Sequence, residues 1–279
     1  MSTARASALS VGTAQEVHNV GSIATPPCSE GDPGGIPLAY PSEGEPVEAR
    51  LYQQMEPTGR PSLVVSPGRL TTVAEMAWLA RPLHARGYTV LVQGYRPGAV
   101  RYQVRDVMDI RNAISLLQEN LHGERMRIGL VGHSRGGSAS LRAAALDRRV
   151  ESIVALSAPV DIARYMKGLR EHSPSRYAML AKAYGGTPAE APEYYRSISP
   201  LQYAEQIPTP VLLVHGSDDM VAPKENSEWM YAALMASGNT TARLEIIAGV
   251  GHFFERRFQA PQFEHVVDLI DRWFMETLC

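Results

Sequence analysis

Apolar and polar residues divide the chain into alternating segments of two kinds. Six short segments are rich in apolar residues that follow one another rather than alternate strictly with polar ones, which is typical of strands buried on both faces of a sheet. They are residues 61–68, 88–94, 127–132, 150–158, 209–216 and 242–249. Five longer segments place apolar residues at helical spacing, namely 73–87, 100–121, 136–147, 224–238 and 263–278. Strands that alternate with helices predict an α/β fold with a mostly parallel, doubly wound sheet.

Two segments depart from this alternation. Residues 1–45 are rich in Ser, Thr, Gly and Pro, which predicts an extended arm laid on the body of the protein or on a neighbouring subunit. The α/β domain is then expected over 46–279, beginning with an alternating strand at 45–54. Residues from about 158 to 208 have helix-and-loop character and predict a helical cap inserted over the sheet. Six of the twelve tyrosines fall in this cap. We expect these tyrosines either to line a partly aromatic pocket or to pack within the cap.

Composition narrows the class of protein. A formal net charge of -2 without blocks of like charge argues against nucleic-acid and membrane-surface partners. No apolar stretch approaches the roughly 20 residues of a membrane helix, and the N-terminus is a poor signal peptide. We therefore expect a cytoplasmic protein. Because the arm could lie on a neighbouring subunit, a homo-oligomer is compatible with the sequence. The sequence has no P-loop, dinucleotide pattern or Cys/His cluster with metal-ligand spacing, so we expect neither cofactor nor metal.

The most informative stretch is Gly132-His133-Ser134-Arg135-Gly136. It follows a predicted strand and opens a predicted helix, which is the context of a nucleophile elbow. The chain must turn sharply there, and small residues at both ends let strand and helix approach closely. The hydroxyl of Ser134 would then project above the sheet edge, near the positive end of the helix dipole. The pattern predicts that Ser134 is a nucleophile; a glycine-rich turn with an incidental serine is the simpler alternative.

A nucleophilic serine needs a base, and the base needs an orienting carboxylate. In elbow-containing folds these follow the serine in the order acid, then histidine. His252 lies in "AGVGHFF", between a predicted strand and the last helix, where flanking glycines can form a tight loop. The other downstream histidines fall in the cap, at a strand end and inside the last helix: His172, His215 and His265. We therefore predict that His252 is the base.

Two neighbouring carboxylates compete for the role of the acid. Asp218 and Asp219 both lie just past a strand in "HGSDDMVAP", and their spacing alone does not separate them. Asp161, past the preceding strand, is a weaker candidate.

A hydrolase of this kind also needs donors for an oxyanion. The backbone N–H of Arg135, directly after the nucleophile, is the first predicted donor. The second is expected in the loop after an early strand, "VVSPGRL". The N–H of Arg69 is preferred there and that of Leu70 is the alternative.

Together these residues resemble the α/β-hydrolase superfamily, and within it the catalytic domain of the prolyl oligopeptidase family and related single-domain esterases. The likeness is carried by "GHSRGG", by "YGGTPAEAPEYYRSISPLQYAEQIPTPVLLVHGSDDMVAP" and by "GVGHFF". The resemblance implies Ser134 as nucleophile, His252 as base and Asp219 as acid, because the family's acid is the third residue after the "HG" glycine. The family's oxyanion loop usually reads His-Gly, whereas this chain has Pro67-Gly68.

These features predict a serine hydrolase that cleaves carboxylic esters of small molecules through an acyl-enzyme on Ser134. The family's peptidases carry a large β-propeller that residues 1–45 are too few to form, which makes a peptidase or amidase the less favoured alternative. An acyl or thioester transferase would use the same residues with another acceptor in place of water. A non-catalytic binding protein on this fold is expected to lack the serine or the histidine.

Overall fold

The computed structural model describes residues 35–55, 58–69, 71–96, 102–120, 127–254 and 261–279. Their centre is an eight-stranded sheet in the order β1-β2-β4-β3-β5-β6-β7-β8. The strands are β1 (Ile36–Ser42), β2 (Glu45–Tyr52), β3 (Ser62–Ser66), β4 (Thr89–Gln93), β5 (Ile128–His133), β6 (Val150–Leu156), β7 (Val211–Gly216) and β8 (Arg243–Ile247). β2 runs antiparallel to β1 and β4, and the other neighbours are parallel. The mostly parallel sheet predicted from the sequence is confirmed.

Helices pack on both faces of the sheet. They are α1 (Ala77–Ala85), α2 (Tyr102–Asn120), α3 (Arg135–Leu146), α4 (Ile162–His172), α5 (Pro174–Tyr184), α6 (Pro192–Ile198), α7 (Glu225–Ala236) and α8 (Pro261–Leu278). Because neighbouring residues of a strand face opposite sides, each strand feeds two apolar clusters. In β3, Val64 joins the cluster under α2 and α3, whereas Leu63 and Val65 join the cluster under α1 and α8.

The end of the predicted arm is part of the sheet. Residues 36–42 form β1 and pair with β2, so the sheet begins before residue 46, where the sequence analysis expected the α/β domain to start. Leu38 and Tyr40 are buried, because every second residue of the strand faces the core. Pro37 and Pro41 are tolerated because β1 is an edge strand, where a missing N–H breaks no ladder. The remainder of the arm, residues 1–34, lies outside the described residues.

Between β6 and β7 the chain forms α4, α5, α6 and a 3-10 helix, Pro200–Gln206. We call residues 162–206 the helical segment. Its helices share an apolar cluster of their own, which includes Ile162, Met166 and Leu180. Tyr184, Tyr194 and Tyr195 pack against one another there, with ring centroids 5.6–6.0 Å apart. These three tyrosines therefore serve packing within the segment.

Candidate active site

Ser134 lies at the turn between β5 and α3 with a strained backbone. Its φ of 54° and ψ of -116° fall outside the regions that ordinary residues occupy. Such a conformation persists only where the surrounding structure enforces it. The N–H of Ser134 donates to the carbonyl of Leu156 in β6 at 2.8 Å, which ties the turn to the neighbouring strand. The sharp strand-to-helix turn expected from the sequence is present.

The glycines around Ser134 are required by contacts between backbone atoms. A Cβ on Gly132 would lie 2.3 Å from the carbonyl carbon and oxygen of Gly136. A Cβ on Gly136 would lie 2.1 Å from the carbonyl oxygen of Ser66 at the end of β3. Both distances are far below van der Waals contact, and neither neighbour is a side chain that could move aside. The elbow, its helix and β3 approach this closely only because these positions lack side chains.

His252 and Asp219 are joined by a buried hydrogen bond. Nδ1 of His252 lies 2.7 Å from Oδ2 of Asp219, and the two residues are 6% and 4% exposed. Oδ1 of Asp219 accepts the backbone N–H groups of Val221 and Ala222, each at 2.8 Å. Asp218 is exposed and accepts the hydroxyl of Ser217. The structure therefore pairs His252 with Asp219, the choice that the family resemblance implied.

The surroundings of Asp219 keep it ionised. Burial acts to raise the pKa of Asp219, but hydrogen bonds from His215 and His252 outweigh it. The charge on His252 and the backbone N–H of Ala222 act in the same direction, and the pKa stays well below its usual range. At neutral pH the carboxylate is therefore available to orient His252 and to stabilise it when it becomes charged.

His215 is a contact of Asp219 that the sequence analysis did not assign. Its Nε2 lies 3.1 Å from Oδ2 of Asp219 and 2.7 Å from the carbonyl oxygen of Ala222. Both atoms are acceptors, so this nitrogen carries a proton. Nδ1 of His215 lies 2.7 Å from the hydroxyl of Ser227 in α7. The sequence feature that could have indicated this contact is the position of His215 at the end of β7, four residues before Asp219.

His133, next to the proposed nucleophile, holds the loop that carries His252. Its Nε2 lies 2.9 Å from the carbonyl oxygen of His252, so this nitrogen is the donor. The two imidazole rings are 4.9 Å apart between centroids, and His133 is fully buried. Trp78 packs edge-on against the other side of His133. The elbow and the histidine loop are thus fixed to each other directly.

The loop after β3, in which the second oxyanion donor is predicted, packs onto the elbow. A Cβ on Gly68 would lie 2.9 Å from Nδ1 of His133 and 3.4 Å from Cβ of Ser134. The hydroxyl of Tyr95 donates to the carbonyl of Pro67 at 2.9 Å. The guanidinium of Arg135 lies over the Tyr95 ring, 3.9 Å from its centroid. Leu70, the alternative donor, lies outside the described residues.

Asp106 of α2 binds Arg135, the residue that follows Ser134. Its two carboxylate oxygens accept from Nε and Nη2 of Arg135 at 2.7 and 2.6 Å. This paired geometry fixes the plane of the guanidinium and so the position of Tyr95 beneath it. The two segments predicted to carry oxyanion donors are therefore coupled through side chains.

One cavity of about 590 Å³ is lined by three of the five predicted site residues. Ser134 and His252 both line it, as do Gly68 and Arg69 of the loop after β3. Its other lining residues come from α5, the end of β5 and nearby loops: Thr71, Glu75, His133, Ser175, Arg176, Met179, Val221 and Phe253. Among the described residues that form this wall there is no tyrosine, so the aromatic pocket suggested by the tyrosine-rich cap is not formed by tyrosines. Among the described lining residues, Phe253 is the one Phe, Tyr or Trp side chain.

The remaining candidates have other roles. His172 lies exposed at the end of α4, where Nδ1 contacts the carbonyl of Gly168 at 3.0 Å. His265 is exposed on α8. The side chain of Asp161 accepts the N–H of Arg164 at 3.0 Å and so caps α4.

Within the described ranges, no helix is long and apolar enough to cross a membrane. No cluster of three or more His, Cys, Asp or Glu side chains in those ranges could hold a metal ion.

Comparison with known proteins agrees with this architecture. The model of the prolyl oligopeptidase family matches residues 75–277. The esterase of Pyrobaculum calidifontis has a similar structure, with a TM-score of 0.71 and 20% sequence identity. That match covers 87% of this chain and 85% of the esterase chain. The α/β-hydrolase fold predicted from the sequence is confirmed.

Curated relatives include proteins named as peptidases and as esterases. The uncharacterized peptidase YtmA of Bacillus subtilis is 28% identical over 194 residues, which are 65% of this chain and 72% of that protein. Esterase LipC of Mycobacterium tuberculosis is 25% identical over 234 residues, which cover 70% of this chain. This chain spans 53% of the length of LipC.

Proposed function

The chain belongs to the prolyl oligopeptidase family of serine hydrolases, and we propose that it cleaves carboxylic esters through an acyl-enzyme on Ser134. Two observations together carry this proposal. Ser134 and His252 line the same cavity, and Nδ1 of His252 lies 2.7 Å from Oδ2 of Asp219. A strained serine beside a carboxylate-bound histidine is the arrangement that activates a hydroxyl for attack on a carbonyl.

The proposed reaction has two halves. Oγ of Ser134 attacks the ester carbonyl while Nε2 of His252 takes the hydroxyl proton. His252 then gives that proton to the leaving alcohol, and the acyl group stays on Ser134. Water attacks the acyl-enzyme with His252 again as base, which releases the acid and restores the serine. Asp219, with its lowered pKa, stabilises the charged form of His252 in both halves.

The oxyanion that forms in each half needs donors placed before the reaction. We assign this role to the backbone N–H groups of Arg135 and Arg69. Gly68 packs against Cβ of Ser134, which brings the Arg69 segment close to the nucleophile. Removing one such donor typically costs about 3–4 kcal/mol of transition-state stabilisation. Two donors would therefore supply a large share of the rate enhancement.

Ester cleavage is preferred over peptide cleavage on chemical grounds. An ester releases an alcohol, a better leaving group than an amine, and so demands less of the general acid. The relative LipC is named an esterase. The second candidate is a peptidase, which YtmA's name favours, and one feature of the cavity supports it. Glu75 places a carboxylate on the wall, where the amino terminus of a peptide would find an opposite charge.

The test is a turnover screen. We would assay p-nitrophenyl esters of graded acyl length beside amino-acid p-nitroanilides, with the Ser134→Ala variant as the blank. The proposal expects Ser134-dependent cleavage of esters and little cleavage of anilides. Anilide cleavage at comparable kcat/KM would replace the esterase with the peptidase. Labelling of Ser134 by a fluorophosphonate without turnover of either class would point to a transferase or a highly selective hydrolase.

A further inference from the structure

Two arginine side chains line the cavity beside Ser134. Arg69 comes from the loop after β3, and Arg176 comes from the first turn of α5 in the helical segment. Both are half-buried rather than extended into solvent. The side chains of Arg69 and Arg176 have no role in the reaction proposed above. Their presence on the cavity wall therefore needs a separate explanation.

Neither guanidinium has a carboxylate partner among the residues that the structure describes. Among the described residues, Nη2 of Arg69 has one hydrogen-bond partner, the thioether sulfur of Met179 at 3.4 Å, which is a weak acceptor. Nη1 of Arg69 is buried without a hydrogen-bond partner in the same described part of the chain. Arg176 likewise makes no hydrogen bond or ion pair to a described residue. Both side chains therefore have donors left over at the cavity wall.

Among the described residues, the other half-buried arginines are paired with carboxylates. Arg135 binds both oxygens of Asp106, and Arg60 binds Asp271 at 2.8 Å. Burial of an unpaired charge is costly, so a guanidinium that is withdrawn from water normally finds an anion. The buried Arg142 instead lies over the Tyr203 ring, 5.8 Å from its centroid, so burial alone does not demand an anion. It is the place of Arg69 and Arg176 on the cavity wall, together with this contrast, that favours a bound anion as their partner.

The one carboxylate on this wall is partly committed elsewhere. Oε2 of Glu75 accepts from the N–H and the hydroxyl of Thr72, at 2.8 and 3.0 Å. Among the described lining residues, two guanidinium groups therefore face a single carboxylate, and the wall carries net positive charge. Phe253 and Met179 add apolar surface to the same cavity.

We propose that Arg69 and Arg176 form an anion subsite and that the preferred substrate is an ester bearing a carboxylate. This inference rests on the proposed ester hydrolysis and names its substrate class. The carboxylate would be bound by the guanidinium groups in charge-assisted hydrogen bonds. The chain between it and the scissile carbonyl would lie against Phe253 and Met179.

The test compares matched pairs of esters that differ only in charge. On the alcohol side the pair is 4-carboxyphenyl butyrate and 4-carbamoylphenyl butyrate. On the acyl side it is the phenyl monoester of adipic acid and the phenyl ester of its monoamide. For each pair we would measure the ratio of kcat/KM for the carboxylate to kcat/KM for the carboxamide. We expect the ratio to exceed one for the side that faces the arginines.

We would measure the same ratio of kcat/KM values in variants of the two arginines. A change that slows both esters of a pair equally leaves this ratio unchanged. Arg176→Gln and Arg69→Gln should each lower it about 10- to 100-fold, the size of a hydrogen bond to a charged group. Arg176→Lys should retain part of the preference, and Arg176→Glu should reverse it. Glu75→Gln, which can still accept from Thr72, should raise it. The control is Arg170→Gln on α4, which removes the same charge from an exposed residue that does not line the cavity.

The outcomes separate this proposal from the proposed function. A ratio near one for both pairs, or an equal fall in Arg170→Gln, would overturn the subsite while leaving ester hydrolysis intact. If no ester is turned over, the proposed function fails, and fluorophosphonates with carboxylate or carboxamide tails still test the subsite. Faster labelling of Ser134 by the carboxylate probe, lost in Arg176→Gln, would support it; equal labelling rates would reject it.

Discussion

The elbow around Ser134 and the helical segment meet at one cavity, yet they are built in different ways. At the elbow, backbone lies on backbone, and a Cβ at Gly132 or Gly136 would lie 2.1–2.3 Å from backbone atoms. In the helical segment, a Cβ on Gly168 would meet no described atom within 4 Å beyond the adjacent backbone of its own helix. The segment is held by side chains such as Ile162 and Met166 in a cluster of its own.

This difference separates two tasks. The relative positions of nucleophile, base and acid must hold within fractions of an ångström, and rigid backbone contacts provide that. The wall contributed by the helical segment, with Ser175, Arg176 and Met179, consists of side chains that can be exchanged without moving the sheet. We therefore expect substitutions at the elbow to abolish activity or folding, and substitutions in the segment to change selectivity or little at all.

The sharpest contrast is between two serines that line the same cavity. Ser134→Ala should lower kcat by about 10^4- to 10^6-fold, because it removes the nucleophile. Ser175→Ala, on α5, should change kcat/KM by no more than a few fold. Steady-state rates with the best p-nitrophenyl ester measure both, and circular dichroism verifies the fold. Comparable losses of activity in the two variants would contradict the expectation that the elbow tolerates substitution less than the helical segment does.

The next largest effect concerns the acid. Asp219→Asn should lower kcat by about 10^3- to 10^4-fold, because His252 would lose the charge that stabilises its protonated form. Asp218→Asn is the matched control: Asp218 is the adjacent residue and is exposed. We expect it to stay near wild type in the same assay. Equal losses in the two variants would contradict the assignment of Asp219.

Much of the elbow region could be predicted from the sequence because its signals are local. A serine between two glycines, after an apolar run and before a helix, constrains the backbone within five residues. The strands of the sheet were recognisable for a similar reason, since burial on both faces leaves continuous apolar runs. The choice between Asp218 and Asp219 needed the family resemblance, because the two are neighbours and only the fold decides which one faces His252.

The features that the sequence analysis missed depend on contacts between distant segments. β1 was hidden by its prolines, which are tolerated only because the strand lies at the sheet edge. The subsite arginines, Arg69 and Arg176, are more than a hundred residues apart, and nothing local distinguishes them from surface arginines. The sequence left open whether the tyrosines of the cap line a pocket or pack the cap; Tyr184 and Tyr195 pack on each other.

A backbone test of the comparison comes from Gly136. Gly136→Ala should destabilise the protein by about 3 kcal/mol or more, because the new methyl group would lie 2.1 Å from the carbonyl oxygen of Ser66. The structure can relieve this contact only by separating α3 from β3. The free energy of unfolding in urea measures the effect, and soluble yield shows it if the variant does not fold. A variant as stable as wild type would show that the elbow is less tightly packed than described.

The smallest effect should come from the corresponding change in the helical segment. Gly168 lies inside α4, and a Cβ there would meet open space. Alanine loses less backbone entropy than glycine on forming a helix, so Gly168→Ala should stabilise the protein by about 0.5–1 kcal/mol. For a chain of this size that is a rise in Tm of about 1–3 °C, measurable by differential scanning calorimetry. A fall in Tm would contradict the comparison, because it would mean that this face of α4 is as closely packed as the elbow. A rise, set beside the loss in Gly136→Ala, would show that the same one-methyl change reverses its sign between the two regions.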